Sequence, residues 1–201
     1  MGKFDLVEHI ESLTIKGKLG EMKKLFKEKH LIWLDFSDNI MVTAIIHNEM
    51  KIVNFLLERN FVHDEVIKEA MMTSVRNNNI PAFRMLMVSF MRNDLKTSMF
   101  EIELMREAVN CNNYYILQEM LILDFLTEYG SISILDMAIE YEHFPLVRLL
   151  INHGASSLKS KNKLLKKFRM HHDKYKSDKV KRTMRFMINH FSNLVDMKTG
   201  D

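Results

Sequence analysis

Residues 133–155, SILDMAIEYEHFPLVRLLINHGA, decide how this chain is read. Leu135, Ala138 and Ile139 recur at the helical spacing and mark one apolar face. After a polar pair, Glu142-His143, a second stripe follows in Leu146, Val147, Leu149, Leu150 and Ile151. Pro145 stands near the start of that second stretch, where a missing N–H costs nothing. Gly154 stands at its end, where a left-handed residue is wanted. The segment therefore reads as two short helices joined by a tight turn.

The same pattern recurs upstream without its glycines. Ala44, Asn48-Glu49 and Ile52 to Leu57 form one copy. Ser74, Asn78-Asn79 and Ala82 to Met87 form another, and Ala108, Asn112-Asn113 and Ile116 to Leu121 a third. Pro81 falls in register with Pro145. The small residues Ala44, Ser74, Ala108 and Ala138 lie 30, 34 and 30 residues apart. A weaker copy precedes them (Leu13, Gly17-Lys18-Leu19, Met22 to Phe26), and Phe186 to His190 echoes Leu149 to His153. A period of this length is the signature of stacked helix pairs, each unable to bury its apolar stripe alone.

Residues 131–156 resemble an ankyrin repeat, through Leu135, Ala138, His143, Val147, Leu149, Leu150, His153, Gly154 and Ala155. Ankyrin repeats are roughly 33 residues long, and weaker resemblance extends over residues 5–191. It implies an all-α fold, an ankyrin-like stack of about six helix pairs. The family's Thr-Pro-Leu-His tetrapeptide is absent, and its Gly-Ala-Asp run survives only as Gly154-Ala155-Ser156. The hairpin fingers are therefore expected to be short or missing. Asp38, Asp64, Ser98, Ser133 and Ser160 are expected to start helices. Residues 1–158 are expected to form the array, and 159–201 a basic capping pair and tail of the same solenoid.

The resemblance also implies a function: binding a protein partner, as adaptor or inhibitor, on the concave side formed by the first helices. The family's variable positions correspond here to Ile46 and His47, Arg76 and Asn77, Asn110 and Cys111, and Glu140 and Tyr141. The divergent, glycine-poor repeats resemble viral or phage ankyrin-like proteins, which points to a host protein as target.

Composition agrees with long helices. Of 201 residues, 47% are hydrophobic and 27% charged, with only 6 Gly and 2 Pro. Cys111 is the sole cysteine, which excludes an intramolecular disulfide and a cysteine-built zinc site. No apolar run reaches the roughly 18 residues that span a bilayer. The N-terminus has no signal-peptide core, and Leu6 stands where a myristoylation signal wants Ser or Thr. The expected location is cytoplasmic, the host cytoplasm if the chain is viral.

The net charge of +3 is unevenly spread. Residues 1–158 hold 16 Lys+Arg against 22 Asp+Glu, a balance of −6; residues 159–185 hold 12 against 2, a balance of +10. Lys163, Lys166, Lys167 and Arg169 form a basic face beside Leu164, Leu165 and Phe168. Lys179, Lys181, Arg182 and Arg185 do the same beside Val180, Met184 and Met187. This end reads alternatively as a site for nucleic-acid phosphates, an acidic protein or an anionic membrane, or as the solvated cap that repeat arrays need.

No enzymatic constellation emerges. Cys111 falls at the exposed end of a first helix with no nucleophile signature around it. His171-His172-Asp173 is the one histidine cluster, and neighbours on a helix diverge by about 100° instead of converging on an ion. His143 and His153 occupy turn positions. The glycines are too dispersed to cradle a phosphate. No metal or cofactor is expected. The many methionines read as core, and Trp33 as a cap on the core after the first pair.

Overall fold

The computed structural model describes residues 3–95, 97–123, 125, 128–155, 158–171 and 185–189. It is all-helical, with no strand among those residues. Packing divides the chain into two compact units, Met1–Thr97 and Ser98–Asp201. The boundary lies at 97/98, whereas the charge changes sign near 158/159, where a helix begins. Composition and packing thus divide this chain at different places.

The first unit holds α1 (Lys3–Ile15), α2 (Leu19–Glu28), a 3-10 turn (Trp33–Phe36), α3 (Ser37–Ile46), α4 (Met50–Glu58), α5 (Asp64–Arg76) and α6 (Ile80–Arg92). The pairs are α1/α2, α3/α4 and α5/α6; α3 packs on both α1 and α5, and α4 packs on α6. The second unit holds α7 (Ser98–Asn110), α8 (Tyr114–Ile122), α9 (Glu128–Glu140), α10 (Phe144–Asn152) and α11 (Leu158–His171), with a further helical stretch at 185–189. Here α9 packs on both α7 and α11, and α8 packs on α10. Within each unit, first helices lie on first helices and second on second.

The small anchors explain that contact. Ala44, Ser74, Ala108 and Ala138 are fully buried. Each also supplies the carbonyl that closes its turn. The N–H groups of Glu49, Asn79, Asn113 and His143 donate to the carbonyls of Ala44, Ser74, Ala108 and Ala138 at 2.7, 2.8, 2.7 and 3.0 Å, and Lys18 does the same to Leu13 at 2.9 Å. The residue before each donor is left-handed: Gly17, Asn48, Asn78, Asn112 and Glu142 have φ of 64, 59, 51, 51 and 57°. This is the Schellman closure, which satisfies helix carbonyls with backbone alone. Gly17 takes without strain the conformation that Asn48, Asn78, Asn112 and Glu142 adopt with a side chain, and a Cβ there would make the flexible Glu49 carboxylate move aside.

The second helices end the same way. His30, Asn60, Asp94 and Gly154 are left-handed. Leu31, Phe61, Leu95 and Ala155 follow them and donate to Phe26, Leu56, Phe90 and Leu150. The residue after the turn is apolar and folds back onto its helix, as the motif favours. Gly154 is therefore one member of a series whose other members tolerate a side chain. The connections from second helix to next first helix span residues 29–36, which include the 3-10 turn, and residues 59–63, 93–97, 123–127 and 153–157.

Two expected helix starts are corrected. Ser133 lies inside α9 and Ser160 inside α11. Both serve lateral contacts: Arg106 donates to Ser133 Oγ at 3.1 Å, and Ser160 Oγ donates to Asp136 Oδ1 at 2.5 Å. Asp64 and Ser98 do open α5 and α7, and Asp38 lies in the first turn of α3. Trp33 stacks on Phe26 at 3.8 Å and on Phe61 at 5.9 Å, with Phe55 edge-on at 5.0 Å. It closes the apolar core between the first two helix pairs. Met22, Met41, Met71, Met105 and Met120 are buried in the core, while Met91 and Met99 are exposed.

Candidate interaction surface

The exposed pair before each left-handed residue lies at the C-terminal end of a first helix. In the first unit these are Ile46-His47 on α3 and Arg76-Asn77 on α5. The two helix ends are tied together. Asn79 is 8% exposed; its Nδ2 donates to the Ile45 carbonyl at 3.0 Å and to Asn48 Oδ1 at 3.4 Å, while its Oδ1 accepts from Ala82 N–H at 3.0 Å. One amide thus caps α6 and binds the preceding turn. Ile46 stands 51% exposed. Arg76 pairs with Glu69 at 3.6 Å, and Asn77 Nδ2 donates to the Thr73 carbonyl at 2.9 Å.

In the second unit the pairs are Asn110-Cys111 on α7 and Glu140-Tyr141 on α9. Asn110 Nδ2 donates to Glu107 Oε2 at 3.4 Å, and Cys111 is exposed. Tyr141 is 50% exposed, its ring 5.8 Å from that of His143. Burial holds the His143 imidazole below its usual value, which favours the neutral ring.

Glu140 is engaged within the chain. Lys163 Nζ lies 3.0 Å from Glu140 Oε2 and donates to the Asp136 carbonyl at 3.2 Å. Lys167 Nζ lies 3.8 Å from Glu140 Oε1 and 3.9 Å from Glu142 Oε1, and donates to the Glu140 carbonyl at 3.2 Å. The hydrogen bond from Lys163, then the charges of Lys163 and Lys167, hold the Glu140 carboxyl below the usual range. Cations at the C-terminal carbonyls of α9 also suit its dipole. Two of the lysines at the basic end thus clasp α11 to α9, while Lys166 and Arg185 are exposed. The Arg169 side chain, Lys179, Lys181, Arg182 and the cluster His171-His172-Asp173 lie outside the described side chains.

No protein-family model matches this chain, and no curated protein or solved structure matches it. The geometry stands by itself. Among the described residues no three His, Cys, Asp or Glu side chains stand where they could share a metal ion. No helix there is long and apolar enough to cross a membrane.

Sequence reasoning missed a fifth exposed pair. Ile15-Lys16 precedes Gly17 as Ile46-His47 precedes Asn48, and both residues are exposed. The signal was present in Gly17-Lys18, which marks the same turn at the end of α1.

Proposed function

We propose that this chain is an ankyrin-like helical-repeat protein that binds a protein partner through the exposed ends of its first helices, without catalysis. One observation carries the reading: the turn is constant and the pair before it changes. Five first helices close with the same backbone bond and a left-handed residue at the same place in the turn. Because the backbone makes the closure, the two preceding side chains have no part in it. They are Ile-Lys, Ile-His, Arg-Asn, Asn-Cys and Glu-Tyr, a set with apolar, cationic, anionic and aromatic members. Constant scaffold with changing exposed chemistry is what recognition by a repeat array requires. The contacts of first helices on first helices support the ankyrin-like part of the reading.

The test is capture with the full chain immobilised, the bound protein identified by mass spectrometry and its affinity then measured against purified variants. Ile46→Ala, Arg76→Glu and Tyr141→Ala each leave the turn bonds in place. At least one is expected to weaken binding about tenfold or more, as truncation of an interface anchor does. Retention of full affinity by the triple variant, with loss on reversing Lys166, Lys181 and Arg182 to Glu, would shift the working surface to the basic end.

A further inference from the structure

The groove between α1 and α3 holds a cavity of about 130 Å³. Its floor is apolar: Ile10 and Ile40 are buried there, and the half-buried Val7 and Phe36 wall it. Thr14 also lines it, but its hydroxyl donates to the Ile10 carbonyl at 2.8 Å and is satisfied there. The mouth is polar. Glu11 from α1 and Asn39 from α3 are exposed, and Thr43 is half-buried. Through their side chains these three make no hydrogen bond or ion pair among the described residues. No lysine, arginine or histidine is among the described residues that line the cavity. On α5 the register of Asn39 is held by Glu69, whose carboxylate Arg76 already engages at 3.6 Å. Glu11 has no such cation.

Size decides the class of ligand. Cofactors and drug-sized molecules need about 300–1,000 Å³, whereas about 150 Å³ takes up one benzene. The cavity therefore has room for a single side chain. Chemistry decides which. Apolar walls below a carboxylate suit a hydrocarbon stem with a cationic head, which buries the first and keeps the second at the polar rim. An acidic side chain is repelled by Glu11, and a purely apolar one leaves the carboxylate without a partner. We infer that this cavity takes one basic side chain, lysine or arginine, of the partner protein. Its stem lies between Ile10 and Ile40 and its head group meets Glu11, with Asn39 and Thr43 as further acceptors. Ile15 and Ile46 stand at the ends of the same two helices, so this occupant rests on the partner-binding reading of that face.

The probes are blocked glycine-serine peptides with lysine, arginine, norleucine or glutamate at the centre; norleucine keeps the stem and drops the head. Each is titrated into the full chain to about 20 mM, within reach of a single anchored side chain. The methyl signals of Val7, Ile10 and Ile40 are followed by NMR. The lysine and arginine peptides are expected to shift these methyls saturably, norleucine about fivefold more weakly, and glutamate not at all. Glu11→Gln should bring the cationic peptides down to the norleucine level. Its urea midpoint should not move, because Glu11 is exposed and unpartnered among the described residues. Glu8→Gln removes the same charge from an exposed position of α1 that does not line the cavity, and should change nothing. Absence of a saturable shift with both cationic peptides overturns the inference. So does norleucine binding as tightly as they do. So does an equal loss in Glu8→Gln and Glu11→Gln, which would assign the attraction to the general field of α1. A captured partner that is weakened by Ile46→Ala but not by Glu11→Gln leaves the first-helix ends standing and overturns the cavity. Cationic peptides that bind as expected, while the triple variant keeps its captured partner, uphold the cavity and remove the ends.

Discussion

Asn79 joins two helix pairs with one side chain, and replacing it separates the two jobs. Asn79→Ala removes the cap on α6, worth about 1 kcal/mol, and the bond to the Ile45 carbonyl, worth about 1 kcal/mol. The carbonyl keeps its bond from Asn48 N–H at 3.2 Å, so no wholly orphaned acceptor adds to the cost. The expected loss is about 2 kcal/mol, which at a slope of about 2 kcal/mol per molar urea moves the midpoint down by about 1 M. Asn79→Asp is the sharper test. Aspartate caps a helix as well as asparagine, so if Asn79 only capped α6 the variant would match wild type. It cannot donate, however, and would turn a carboxylate oxygen toward the Ile45 carbonyl, 3.0 Å from the present amide nitrogen. It should lose at least about 1 kcal/mol. Urea unfolding followed by the fluorescence of Trp33, the only tryptophan and a member of the first unit, reads this directly. An Asn79→Asp midpoint equal to wild type would refute the bridge between turns as a source of stability.

Ala138→Leu overpacks a fully buried position on α9 and should cost about 1–3 kcal/mol by chemical denaturation followed by circular dichroism. Asn112 has φ of 51°, so Asn112→Val should cost about 1–2 kcal/mol while Asn112→Gly leaves the melting temperature equal or higher. The depressed Glu140 carboxyl stabilises the α9–α11 clasp above the unfolded carboxylate value, and that contribution is lost as pH falls through the folded value. The protection of α11 amides against hydrogen exchange, taken relative to the intrinsic rate at each pH, should accordingly fall on acidification, and Lys163→Ala should raise the Glu140 midpoint seen by NMR.

Much of the helix pairing was legible because it rests on local chemistry. A small residue followed four places later by Asn or Glu and then an apolar stripe is visible without a structure, and Ala44, Ser74, Ala108 and Ala138 all proved to be buried turn anchors. Ser133 and Ser160 misled because serine at a helix start and serine bonding sideways to a neighbouring helix look alike in sequence. The clasp was hidden for a related reason. Lys163 and Lys167 meet Glu140 only once α11 lies beside α9 in register. A run of positive charge shows its sign in sequence, not which of its members are already neutralised. That Tyr115 and Ile122 on α8 stand exposed was hidden because their apolar character alone does not tell which side of the helix faces the core.

The packing order also governs how the chain folds. In each unit the close-packed helices are next neighbours or next but one along the chain. Contacts so near in sequence close small loops and forfeit little chain entropy before they are rewarded. Proteins built this way fold in microseconds to milliseconds. During synthesis, α1 and α2 can meet as soon as both have left the ribosome, and α3 finds α1 waiting when it follows. The first unit, ending at Thr97, need not wait for the second half of the chain to be made.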